Sequence, residues 1–464
     1  MLTIEYRETT TMTFVHEVQK FRGVQRLFLA ILLAGVWNLT SCRTTETAPE
    51  AGLKDTPPGG SAAPTQNPFA IFQVPGCLPQ CSSSDQQQLA ANSPTEAAIV
   101  KAIGDARETV DFSMYTFSRK PIFDALVDAA RRGVRVRGVV DRAQFKTTSD
   151  LCKPGGCSFP DLGAAWLTSP IETRLERVSA DPMWRDGSNT DKLAVLLTGL
   201  ATVENTDSGV RPAPGSDRLV HNKYVLVDRK ILLSGSGNWS STAVSVNLEN
   251  LMRFERESSP EILDGIICSF ELFWQGDSNT ISQNIGACQR EDLLYLSPAP
   301  RGGPQPRIIK AINDATVSID IAMHHLVDPD SLGALRVARE RGVRIRIATD
   351  DDHCNARADR LFHELLAAGA EVRYVPTSCS IFQLSHSKYG IFDDSLVING
   401  SANWSRAGLR RNYENFTLMR SSVEVSAFRS NFQKLWELGV PGNACQCDRT
   451  LQACREKYCM DRPR

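Results

Sequence analysis

Two stretches of the chain share one pattern of apolar and polar positions. Residues from Ile99 read IVKAIGDARETVDFSM, and residues from Ile308 read IIKAINDATVSIDIAM. In both, apolar residues recur at three-to-four spacing and then give way to an alternating run, which predicts a helix followed by a strand. Further on, ALVDAARRGVRVRGVVD ends at Asp141 and ALRVARERGVRIRIATD ends at Asp350. Each predicts a second helix closed by a glycine (Gly133, Gly342), then a strand over Val134–Val140 or Val343–Ala348. The offset between the copies is 209 throughout, so the chain is internally duplicated. Helix and strand in alternation predict an α/β fold with parallel strands.

A second matched pair follows. HNKYVLVDRKILLSGSGNWS begins at His221 and HSKYGIFDDSLVINGSANWS at His386, an offset of 165. The first copy therefore carries 44 extra residues, expected as a surface insertion within 143–218. That stretch holds Cys152 and Cys157, which could pair, together with Trp166 and Trp184.

Outside the repeats, Lys20, Arg22 and Arg26 precede an apolar run from Leu27 to Trp37, followed by Leu39-Thr40-Ser41-Cys42. A basic segment, a short apolar core and small residues make a secretory signal over 1–42, too short in its apolar part to span a bilayer comfortably. The last four residues resemble a bacterial lipobox, which would lipidate Cys42 and tether an exported protein to a membrane of the cell envelope; secretion is the other reading. The Thr-, Pro-, Gly-, Ser- and Gln-rich stretch 43–95 is expected to be a flexible tether. Residues 96–300 would form the first repeat, 301–440 the second and 441–464 a cysteine-rich tail. Apart from Cys42 there are twelve cysteines, a density that fits disulfides in an oxidising compartment. Cys77 and Cys81 could pin a small loop. A zinc site at Cys445, Cys447, Cys454 and Cys459 is the rival use, but the spacing matches no common zinc knuckle. The formal net charge of −1 does not suggest a dedicated nucleic-acid binder, although it leaves room for a local basic groove.

The second matched pair carries the chemistry. Each copy supplies a His, a Lys two residues on, an Asp five after that, then Gly-Ser-x-Asn, and a Glu eleven residues beyond the Asn. In one copy these are His221, Lys223, Asp228, Ser236, Asn238 and Glu249; in the other, His386, Lys388, Asp393, Ser401, Asn403 and Glu414. In a strand, His and Lys at i and i+2 share a face. Gly235 and Gly400 permit close backbone approach. Paired imidazoles, ammonium groups and amides suit a phosphate, with one histidine available as nucleophile and the other as acid. A single His near a Lys is ordinary surface decoration; the same residue types at identical spacing twice are not.

These segments resemble the paired His-x-Lys-x4-Asp-x6-Gly-Ser-x-Asn motifs of the phospholipase D superfamily, matched at every defined position. The resemblance covers residues 96–440. It implies two duplicated α/β/α domains packed about a pseudo-two-fold axis, with one active site at their interface. It also implies that His221 and His386 divide the roles of phosphohistidine-forming nucleophile and general acid, with His221 favoured as the nucleophile. Lys223, Lys388, Asn238 and Asn403 would bind the phosphate oxygens, with Ser236 and Ser401 binding or supporting it. Glu249 and Glu414 would stand behind the histidines, and Asp228 and Asp393 would hold local structure. No metal or cofactor is implied. The expected activity is phospholipase D-type hydrolysis or transfer on phospholipid, as a monomer. A nuclease of the same superfamily and a non-catalytic envelope lipoprotein binding anionic polymers are the alternatives. His324, His325 and Asp350–His353 look metal-like but have no match in the first copy, so pocket lining is the expected role. Trp239 and Trp404 are expected to pack in the core.

Overall fold

Each repeat builds one mixed sheet, and the two sheets share the core between them. The computed structural model describes residues 69–78, 81–141, 152–153, 156–157, 209–212, 218–299, 302–350, 360–378 and 383–441. All of these belong to one compact unit, Pro64–Arg464. The described strands of the first part are β1 (Ala70–Gln73), β2 (Thr109–Met114), β3 (Arg135–Val140), the short pair β4 (Cys152–Lys153) and β5 (Gly156–Cys157), β6 (Gly209–Pro212), β7 (Lys223–Val227), β8 (Ile231–Gly235) and β9 (Glu249–Glu255). The second part has β10 (Leu294–Ser297), β11 (Ser318–Met323), β12 (Arg344–Asp350), β13 (Glu371–Val375), β14 (Lys388–Phe392), β15 (Leu396–Gly400), β16 (Glu414–Met419) and β17 (Val440–Pro441). The sheet orders are β1-β9-β8-β7-β2-β3-β6 and β10-β16-β15-β14-β11-β12-β13-β17, the same path twice with β17 added at one edge.

The expectation of parallel strands is half right. β2, β3 and β6 run parallel, as do β11, β12 and β13. The motif strands β7 and β14 instead run antiparallel to β2 and β11 and fold back as hairpins onto β8 and β15. Adjacent strands joined by a tight turn can only be antiparallel. Here the turns are Asp228-Arg229 and Asp393-Asp394, all four residues with φ between 48° and 54°. Two successive positive φ values are the signature of a type I′ hairpin, which asparagine, aspartate and glycine tolerate best.

The helices cover both faces. α1 (Ser83–Ala91) and α2 (Pro94–Asp105) start at the capping serines Ser82 and Ser93, and α3 (Lys120–Arg131) follows β2. α2 and α3 close a core against one face of the first sheet, containing Ile103, Phe112, Leu126 and Trp239. The first part ends with α4 (Pro260–Gln275) and α5 (Ser278–Asn284). In the second part α6 (Pro304–Asp314) and α7 (Pro329–Glu340) close the equivalent core around Ile312, Leu335 and Trp404. α8 (Arg360–Ala367), α9 (Arg406–Arg410) and α10 (Ser422–Leu438) are the other α-helices among the described residues. The other faces of the two sheets meet in one apolar cluster holding Phe270 and Trp274 of α4, Phe428 and Phe432 of α10, and residues of both sheets such as Tyr224 and Tyr389. Trp239 is 2% exposed and packs on Phe112 and Phe117, so it is a core residue, as is Trp404 against Phe392.

Two boundaries differ from the sequence reading. The stretch assigned to a tether is structured from residue 70: β1 pairs with β9 at Ala70↔Met252, α1 follows, and a Cys77–Cys81 disulfide closes the loop between. β10 pairs with β16 at Leu294↔Thr417 in the same way, so β10 belongs to the second repeat although it precedes residue 301. Each repeat thus opens with an edge strand. The copies are unalike between that strand and the first matched helix, which hid the correspondence. Within the expected stretch 143–218 the pairing of the strands narrows the place of the insertion. β6 pairs with β3 at Arg137↔Gly209 as β13 pairs with β12 at Arg346↔Glu371, so the extra residues lie between Asp141 and Gly209. A second disulfide joins Cys268 of α4 to Cys288. Backbone pairing places Cys152 opposite Cys157, but their side chains lie outside the described residues. The signal, Cys42, residues 43–68, the tail and most of the insertion also lie outside them.

Candidate active site

The residues ahead of β7 and β14 carry the histidines, and each crosses to the other repeat. The His221 N–H donates to the Tyr413 carbonyl at 3.0 Å, and the Tyr413 N–H returns to Leu219 at 2.8 Å. Symmetrically, the His386 N–H donates to Leu248 at 3.0 Å and the Leu248 N–H to Leu384 at 2.9 Å. Each histidine therefore precedes the motif strand rather than lying within it. It is fixed by a short parallel bridge between the repeats: Val220↔Tyr413 for one, Leu248↔Ser385 for the other. Asp141 and Asp350, at or just past the ends of β3 and β12, accept the backbone N–H of Val220 and Ser385, the residues before each histidine.

Tyr413 and Leu248 lie next to the motif glutamates, so the bridges exchange carboxylates between the halves. His221 Nδ1 lies 2.9 Å from Glu414 Oε2, and His386 Nδ1 lies 2.8 Å from Glu249 Oε1. Each glutamate is held in its own repeat. Ser236 Oγ donates to Glu249 and Ser401 Oγ to Glu414, both at 2.6 Å. The backbone N–H of Asn250 or Asn415 fixes that hydroxyl. Asn247 and Asn412 donate amide hydrogens to the second carboxylate oxygen at 3.2 and 3.3 Å. Gly235 and Gly400 are required here: a Cβ would stand 2.0 Å from the Asn250 carbonyl oxygen or 2.1 Å from that of Asn415. The close approach they allow is between strands of the same sheet.

Lys223 and Lys388 are buried and donate to the carbonyls of His221 and His386. Burial pushes Lys223 down to about 8 and Lys388 to about 7, with the two glutamates opposing. Burial also lowers His386 to about 4 against the pull of Glu249, and lowers His221 against that of Glu414. The glutamates remain ionised. Burial pushes them up, but the facing histidine and lysine outweigh it, and both lie below the ordinary value. With Nδ1–H donated to a carboxylate, each ring turns its Nε2 to reaction, as a lone pair when the ring is neutral and as a proton donor when it is protonated.

Asn238 and Asn403 follow the Gly-Ser steps, and each has a buried Oδ1 without a hydrogen-bond partner. Asp228 and Asp393 stand away from the histidines. Asp228 accepts the backbone N–H groups of Arg107, Glu108 and Thr109, and Asp393 those of Thr316, Val317 and Ser318. They tie the motif hairpin to the start of the neighbouring strand. The junction is unequal at one equivalent pair of positions: the ring of Tyr115 lies 5.0 Å from His221, and that of His324 lies 4.9 Å from His386. Among the described residues no group of three His, Cys, Asp or Glu side chains is arranged to hold a metal ion.

Sequence reasoning missed Asn247, Asn412 and the positioning parts played by Asp141 and Asp350. The signal was present: Asn-Leu-Glu-Asn at 247–250 and Asn-Tyr-Glu-Asn at 412–415 are a further matched pair. The crossing of the glutamates had no signal, because spacing within a repeat is the same whichever histidine is served.

Two sheets of this order, each contributing a His-x-Lys pair to one junction, define a protein of the phospholipase D superfamily. The family model described as "Cardiolipin synthase, PLD-like domain" matches residues 99–274 and 308–436, and the chain belongs to that family. It is 29% identical over 153 residues to the mitochondrial cardiolipin hydrolase of Chlamydomonas reinhardtii, covering 33% of this chain and 65% of that one. It is 28% identical over 131 residues to the mitochondrial cardiolipin hydrolase of Homo sapiens, covering 28% of this chain and 50% of that one. The chain thus spans less than two thirds of the length of these curated relatives. The solved structure of phosphatidylserine synthase from Haemophilus influenzae Rd KW20 shares the fold, with a TM-score of 0.52 at 11% identity, covering 82% of this chain and 96% of that one.

Proposed function

We propose that this protein is a phosphodiesterase that cleaves phospholipids at the phosphodiester through a phosphohistidine. The observation that carries the reading is the exchange of carboxylates, which leaves two oriented imidazoles at one junction, each within the influence of both lysines. One Nε2 attacks phosphorus while the other ring protonates the leaving alcohol. That second ring then takes a proton from water, or from an acceptor alcohol, which attacks the phosphohistidine and releases the first ring. Lys223 and Lys388 offset the charge that builds on the phosphoryl oxygens while the Asn238 and Asn403 amides donate hydrogen bonds to them, the electrostatic part of catalysis. Lipid as substrate is supported by the curated relatives, which are described as cardiolipin hydrolases. It is supported further by the apolar run and Leu-Thr-Ser-Cys42 sequence, which fit an exported lipoprotein working at a membrane.

The test is a panel of a fluorescent phospholipid, plasmid DNA and bis-p-nitrophenyl phosphate, each with wild type and His386→Ala. Turnover of the phospholipid and the aryl ester, lost in the variant, is the expected result. Cleavage of DNA with intact lipid moves the substrate to nucleic acid. No turnover of any of the three removes the enzymatic reading and leaves a binding protein for anionic polymers.

A further inference from the structure

The two halves of the site present the same Glu, Ser, Lys and Asn to their histidines, yet the rings stacked beside those histidines differ. Tyr115 and His324 occupy equivalent backbone positions: the Tyr115 N–H donates to the Asn222 carbonyl and the His324 N–H to that of Ser387, both at 3.1 Å. Around His221 stand Glu414, Lys223, Lys388 and Tyr115, with Asp141 acting on the phenol. Around His386 stand Glu249, Lys388, Lys223 and His324, with the His325 ring 3.9 Å from that of His324.

Resting on the phosphodiesterase reading, we propose that this unequal pair assigns the roles: His386 is the nucleophile, His221 is the acid, and His324 is a positioning residue that keeps His386 free of a proton. A phenol cannot carry positive charge, and burial together with Asp141 raises its pKa further, so Tyr115 stays neutral. Its ring face also favours a cation, as the position of Lys223 Nζ 5.4 Å above it shows, so an imidazolium at His221 is tolerated. On the other side a second imidazole competes for the same proton. Two cationic rings 4.9 Å apart beside two lysines repel, so whenever His324 takes the proton His386 loses it. Burial and the two lysines already hold His386 down to about 4 against the pull of Glu249, and the His324 ring stands against it in addition.

In the first step the His386 Nε2 lone pair forms the P–N bond. The P–O bond to the leaving group breaks, and that oxygen takes the Nε2 proton of His221. In the second step neutral His221 takes a proton from water and the hydroxyl oxygen bonds to phosphorus. The P–N electron pair returns to His386. This reverses the sequence-based preference for His221 as nucleophile.

The experiment uses the full-length protein with bis-p-nitrophenyl phosphate, an alkaline denaturing quench and mass mapping of the adduct. The expected result is a mass-shifted peptide containing His386 in wild type and in His221→Ala, where the good leaving group needs no acid, and none in His386→Ala. An adduct on His221 overturns the assignment and keeps the phosphodiesterase. No turnover at all removes both. His324→Tyr supplies the second readout. Without the competing imidazole His386 holds its proton more tightly, so the acidic limb of kcat/KM moves up by about one pH unit while the alkaline limb stays. A lower rate with an unmoved acidic limb means that His324 is merely structural and overturns its part. Tyr115→His moves the alkaline limb down, and an unmoved limb there counts equally against the proposal.

Discussion

A histidine that gives a proton in one step and takes one in the next must be held in one tautomer. Glu414 and Glu249 do this from the opposite repeat, and an amide in their place donates where it should accept. Glu414→Gln and Glu249→Gln are each expected to lower kcat by about 10²–10⁴-fold with far smaller changes in KM, measured on the aryl phosphodiester. The lysines make a different prediction. Burial brings Lys388 down to about 7, so near neutral pH it is only partly charged. A bound phosphate analogue favours the charged form and raises that pKa. Vanadate binding at pH 7 should therefore be coupled to uptake of part of a proton by Lys388 from the buffer, seen as a dependence of the calorimetric enthalpy on buffer ionisation. Lys388→Met should abolish that dependence.

At the scale of elements, the motif hairpins are held by their turns. The Asp228 carboxylate collects three backbone N–H groups and stands below its ordinary value of 3.8, burial being outweighed by those hydrogen bonds. A carboxylate lowered in the folded state contributes stability above its unfolded pKa and loses it as pH falls through the folded one. Asp228→Asn keeps the left-handed turn and weakens the acceptor. It should cost about 1–3 kcal/mol in urea unfolding at pH 7, with the gap to wild type closing as pH falls below about 3.8. The matched helices and the strands β2, β3, β11 and β12 were legible in the sequence because a period and a constant offset mark them. β1 was not. Four residues in a Pro- and Gln-rich stretch have no repeat to point at them, and only their pairing with β9 makes them a strand. The antiparallel return of β7 and β14 was not legible: Asp228 and Asp393 were expected to hold local structure, but that they do so by turning the chain back shows only in their positive φ.

At the scale of the molecule, the shared core and the exchanged carboxylates make the halves one unit. The motif residues could be named from the chain. Their assembly could not, because whether Glu249 serves His221 or His386 depends on how two sheets meet. One chain supplies both halves, so the active species is expected to be a monomer by light scattering. Mixing His221→Ala with His386→Ala should then restore no activity. Recovery on mixing would indicate that chains trade halves. The exchange also sets a clock on the protein's own synthesis. His221 lies 193 residues ahead of Glu414, the carboxylate that orients it. A growing chain has already made its first histidine, lysine and asparagine, yet that ring stays unaligned until β16 has been made and folded back. On the proposed mechanism, an unfinished chain therefore carries the reagents without the means to use them, and any substrate it meets is spared until the last strand of the site is in place.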